Sequence, residues 1–136
     1  MVFYINRLSN AMKSIFDVVY YVMDEIASVQ MALCQKYNST FTSSPLLSKI
    51  GIARNFSVDD LPIHGLRHPP EGDTTGWYIW SGEWSDDSDF FVPLHTVHLV
   101  QRCPNIIRFL GLSPGWRFMF ADFYEDVWQD HSLLNV

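Results

Sequence analysis

A chain of 136 residues, 48% of them apolar, can bury about two thirds of its unfolded surface and needs no disulfide or metal staple. The net charge of −6 is uneven: residues 1–70 carry six Lys and Arg against five carboxylates, residues 71–136 three Arg against ten. So acidic a second half repels phosphate, which excludes direct nucleic-acid binding as the first choice and favours a basic protein surface as partner. Acidic surface serving solubility alone is the competing reading.

The first predicted element is a helix over residues 10–36. Met12, Ile15, Phe16, Val19, Val22, Met23, Ile26, Val29 and Leu33 recur at three-and-four spacing, with Asp17, Asp24, Glu25 and Gln35 opposite. Ser9 or Asn10 is the expected N-cap, and the apolar face is expected to lie on the protein's own sheet. Residues 38–45 form a polar connection, and residues 48–54 alternate as a strand. Residues 57–75 hold Pro62, Pro69, Pro70, Gly65 and Gly72, so they read as one long loop without a ladder. Trp77 to Ser81 is a second strand, and residues 85–89 an acidic turn. Residues 94–102 read as a short helix. Pro104 opens another that runs to Leu110, with Gly111 as its left-handed stop. Strands over residues 116–120 and 124–128 complete a single α+β domain of residues 1–136. It is a small, mostly antiparallel sheet packed against the long N-terminal helix and one or two short helices.

Five Trp, ten Phe and six Tyr are too costly to leave in water, so most must fill the core. Cys34 and Cys103 are too few and too far apart for a secreted disulfide framework, which points to a reducing compartment. The most apolar run, residues 18–23, is far shorter than the ~20 residues a bilayer needs, and the start lacks the pattern of a signal peptide. A soluble cytoplasmic protein with no membrane partner is expected.

Chemistry-bearing patterns are sparse. His95 and His98 share a helical spacing with Cys103 nearby, but no complete zinc ligand set follows them. His64 and His68 lie in the Pro-rich stretch. No nucleophile elbow and no phosphate-binding glycine loop is present. Glu83, Asp86, Asp87 and Asp89 depart from a calcium-loop pattern. No catalytic residue, metal ligand or cofactor site is therefore expected. A metal-dependent hydrolase using His64, His68, His95 or His98 is the weakest of three readings, behind a general interaction module. Glu83, Trp84, Asp86, Asp87 and Asp89 offer four carboxylates around an aromatic ring and are the expected partner-binding residues. The alternatives are a merely solvated turn, with the partner gripping the helix or residues 57–75.

Three segments carry a resemblance: GLRHPPEGD at 65–73, GWYIWSGE at 76–83 and SPGWRF at 113–118. In order and spacing they resemble the bacterial immunity protein 33 family over about residues 48–130. That family is marked by G-W-x-x-x-S-G-E followed by P-G-(W/S)-x-F. The resemblance implies a non-catalytic protein that binds a cognate toxin of a polymorphic or contact-dependent secretion system in the cytoplasm. It supplies no catalytic residue. Read structurally, the motifs place Gly76 and Gly82 at turns and bury Trp77 and Trp116, each indole N–H needing an acceptor. Arg67, Glu83 and Arg117 are expected to hold the Pro-rich loop onto the sheet.

Overall fold

In this computed structural model, which describes residues 14–135, the first described element is helix α1, Ile15–Tyr37. Ser14 caps it, its Oγ accepting from the Asp17 amide at 3.3 Å, and Asp17 sets a carboxylate at the positive end of the helix dipole. The expected start at Ser9 or Asn10 lies outside the described residues; the cap that is seen belongs to Ser14. Asn38 ends the helix in the left-handed region (φ 61°), which Asn tolerates. The apolar stripe is split. Its C-terminal part is docked through Gln30, Leu33 and Cys34, with Ile26 and Tyr37 partly buried. On the same stripe Ile15, Phe16, Val19 and Met23 are exposed, so only about the last three turns pack on the rest of the protein.

Among the described residues six strands form one sheet. They are β1 (Lys49–Ala53), β2 (Ile63–Arg67), β3 (Thr74–Ser81), β4 (Phe91–His95), β5 (Trp116–Ala121) and β6 (Tyr124–Gln129), in the order β4-β1-β3-β2-β5-β6. Of these pairings, only that of β1 with β3 is parallel. With helix α2 (Thr96–Arg102) and the 3-10 helices Pro104–Phe109 and His131–Leu134, this is an α+β fold with a mostly antiparallel sheet.

Three expectations about the elements are corrected. Residues 57–75 are not one loop: the prolines flank β2 rather than interrupt it, leaving five residues free to pair with β3 and β5. The expected helix over residues 94–102 begins only at Thr96, because residues up to His95 belong to β4. Pro93 is tolerated there because β4 is an edge strand, where a missing donor need only face outward. The segment after Pro104 is a 3-10 helix, and Gly111 is not its left-handed stop. Gly111 is required by close approach instead, since a Cβ there would sit 2.7 Å from Gln30 Cβ of α1.

The core lies between the sheet and the 3-10 helix Pro104–Phe109. Phe109 stacks on Phe118 and Phe120 at 4.5 and 5.1 Å, and Trp77 meets Phe118 edge-on at 5.3 Å. Trp77 is 1% exposed, and its indole N–H donates to Ser44 Oγ and the Leu110 carbonyl, both at 3.1 Å. Trp116 is only partly buried at the start of β5, which corrects the expectation that both tryptophans are enclosed. Trp77→Ala is therefore expected to lower the unfolding free energy by about 3–5 kcal/mol, and Trp116→Ala by under about 2 kcal/mol. Equal losses in urea titrations of the two variants would contradict this placement.

Arg67 is also 1% exposed, and all its bonds go to backbone carbonyls. Nε donates to Thr75 at 2.9 Å, Nη1 to Thr42 and Leu112 at 2.8 and 2.7 Å, and Nη2 to Ser43 at 3.0 Å. The expected trio with Glu83 and Arg117 is thus not formed. Glu83 is exposed, and Arg117 pairs with Asp130 at 3.3 Å and lies over the Trp128 ring. Arg67 instead holds residues 42–43 and the 110–112 turn against β3.

A second tie joins α1 to β6. Glu125 accepts from the Tyr37 hydroxyl and the Arg108 guanidinium, with Lys36 Nζ at 3.3 Å. Burial alone would raise the Glu125 carboxyl, but the Tyr37 and Arg108 hydrogen bonds and the Arg108 charge outweigh it and hold it at about 2. A carboxylate with a depressed folded-state pKa stabilises above its unfolded value and loses that contribution as pH falls through the folded one. Glu125→Gln is expected to cost about 1.5–3 kcal/mol at neutral pH. The difference from the parent should shrink between roughly pH 5 and pH 2. A gap that stays constant in urea titrations across that window would contradict the ion network.

Candidate partner-binding face

The helices α1, α2 and Pro104–Phe109 lie on the core side of the sheet. Strand alternation sends the other residues to the outer face: His64 and Leu66 from β2, Tyr78 and Trp80 from β3, Phe91 from β4. This face is paved with rings. His64 stacks on Trp80 at 4.9 Å with planes 8° apart, and Tyr78 meets Phe91 edge-on at 5.2 Å. Burial, and then the Arg117 charge, push the His64 pKa below its ordinary value. Tyr78 lies directly over Gly51 of β1, where a Cβ would stand 2.7 Å from the ring. No larger residue at 51 would let the tyrosine lie so close to the sheet.

The loop of residues 82–90 rises from this pavement. Gly82 turns the chain in the left-handed region (φ 64°). Trp84 then packs on Trp80 at 5.0 Å, Phe91 at 5.5 Å and Phe90 at 5.8 Å. Its indole N–H donates to Asp86 Oδ1 at 2.8 Å. Ser85 Oγ accepts from the Asp87 amide, Asp87 Oδ1 from the Asp89 amide at 2.9 Å, and the Asp89 carbonyl from Arg54 Nε at 2.6 Å. The loop is therefore a shaped object, anchored below by Phe90 and laced by its own side chains. All five residues singled out in the sequence sit on this loop: Trp84 is 51% exposed, and Glu83, Asp86, Asp87 and Asp89 are exposed.

The remaining candidates assemble no ligand set among the described residues. His95 and His98 have ring centroids 6.2 Å apart, and the Cys103 thiol is buried, with its pKa pushed up by that burial. His68 is held by the Leu133 carbonyl, 3.0 Å from Nδ1, so that nitrogen carries the proton. Among the described residues no three His, Cys, Asp or Glu side chains gather in a way that could hold a metal ion. Sequence reasoning missed the ring pavement under the acidic loop. The available signal was the alternation of Tyr78 and Trp80 on a strand, but their neighbours Phe91 and His64 come from other strands.

No described helix is long and apolar enough to cross a membrane. Comparison with curated proteins and with solved structures finds no match. The family model of the Imm33-like domain matches residues 29–130, from the docked half of α1 to the end of β6. With three quarters of its length so matched, the chain belongs to the Imm33-like family.

Proposed function

We propose that this protein binds a cognate bacterial toxin in the cytoplasm and neutralises it by masking it, without catalysing a reaction. Membership of the Imm33-like family carries the reading. The outer face supports it with chemistry suited to a protein partner: a half-exposed tryptophan held rigid among carboxylates resembles the anchor of an interface hot spot. We place the contact at Glu83, Trp84, Asp86, Asp87 and Asp89. A toxin that acts on an anionic substrate has a basic cleft, and an acidic loop is complementary to it.

The test is co-expression with the product of the adjacent gene, followed by affinity capture and a growth assay. A stoichiometric complex, with growth restored in cells making the toxin, is expected. Absence of both would contradict the proposal.

A further inference from the structure

Behind the acidic loop lies a cavity of about 290 Å³ on the outer face, lined in part by Leu66, Tyr78, Trp84 and Phe91. Asp86 and Asp87 also line it. We propose that this cavity receives the side chain of an arginine presented by the protein partner. The inference rests on the reading that this face meets a basic toxin, and it specifies the group that the face recognises.

The aromatic geometry suits a flat cation. Tyr78 and Phe91 meet at 75°, and Trp84 and Phe91 at 58°, so the three rings bound a recess instead of stacking shut. Tyr78 is 38% exposed and Trp84 51%, so ring surface remains free for a ligand. A cation over such rings gains from their quadrupoles, and a guanidinium also stacks face to face with them.

The polar atoms agree. Asp86 is oriented by Trp84 Nε1 through Oδ1, and Asp87 by the Asp89 amide through Oδ1. Neither Oδ2 takes part in a hydrogen bond among the described residues, so each carboxylate is positioned yet keeps an acceptor in hand. An anion would be repelled here, and a neutral apolar group would leave the carboxylates unused. Lysine is the nearest rival, but its ammonium is more strongly hydrated and lacks a planar face for the rings. His68, which also lines the cavity, has Nδ1 committed to the Leu133 carbonyl. A second cavity of about 390 Å³ shares Tyr78 and His68 with the first and reaches Pro69, Pro70 and Glu71. The chain on one side of the arginine would pass over this neighbouring cavity.

The experiment is an NMR titration of the isotopically labelled full chain with N-acetyl-arginine methylamide, run beside the lysine and citrulline counterparts. Saturable shifts of the Trp84 indole N–H and of the Tyr78 and Phe91 amides are expected with arginine, at a dissociation constant of about 1–10 mM. Lysine should bind at least about threefold more weakly, and citrulline should give no saturation. Asp86→Asn/Asp87→Asn should weaken arginine binding about tenfold, with the rest of the spectrum unmoved. Citrulline shifting the same resonances, lysine matching arginine, or arginine shifts spread over the whole surface would each overturn the proposal. A toxin complex that forms although the arginine probe fails removes the pocket alone. Arginine binding without any toxin complex removes the toxin reading alone.

Discussion

Replacing Arg67 by methionine is expected to lower the unfolding free energy by about 4–6 kcal/mol, close to the whole stability of a small protein. Two effects oppose each other. The guanidinium is 1% exposed with no carboxylate bonded to it among the described residues, so its desolvation is costly, and methionine removes that cost. Burial lowers its pKa to about 10, which still leaves it charged at neutral pH. Against this stand short charge-assisted bonds to the Thr42, Ser43, Thr75 and Leu112 carbonyls. Such bonds contribute about 1.5–3 kcal/mol each, and carbonyls left unpaired in the core cost about 1–3 kcal/mol apiece. The carbonyls outnumber the charge, so the loss dominates. Arg67→Lys should recover less than half, because an ammonium cannot fork toward acceptors on three separate segments. Urea denaturation measures both variants. A loss under about 1 kcal/mol for the methionine would mean that water replaces the guanidinium.

Arg67 also shows where sequence reading stops. An arginine beside acidic motifs suggests an ion pair, yet its acceptors are main-chain oxygens, which sequence does not distinguish from one position to the next. They converge only because residues 42–43, 75 and 110–112 meet in the fold. The strand pattern was legible where aromatics alternate, as in β3, β5 and β6. It failed where proline dominates: Pro62, Pro69 and Pro70 hid β2 between them, and Pro93 hid β4 until its edge position was known. Helix α1 was legible from its stripe, but periodicity cannot say which turns of a stripe find a partner. At the candidate site Glu83, Trp84, Asp86, Asp87 and Asp89 could be grouped from sequence because they lie within seven residues of one another. The cavity beneath was not legible, since Tyr78 of β3 and Phe91 of β4 meet across β1, over Gly51.

The second large effect belongs to that acidic loop. Removing three charges through Asp86→Asn/Asp87→Asn/Asp89→Asn should weaken toxin binding about ten- to a hundredfold at low salt. Asparagine keeps an acceptor for the Asp89 amide and for Trp84 Nε1, so the loop retains its shape and the charge alone is tested. The exposed carboxylates attract over a Debye length of about 10 Å at 0.1 M salt, so they act mainly on the encounter rate. On the proposed reading Trp84 is buried by the partner, and its loss is expected to act mainly on release. The parent's affinity should therefore fall with salt, and the variant's should fall less.

The most direct measurement is a titration of the parent and this triple variant against the cognate toxin at low and moderate salt. The account predicts a tight parent complex with a steep salt dependence, and a weaker variant complex with a shallow one. Equal affinities and equal salt slopes would contradict binding through the acidic, ring-paved face.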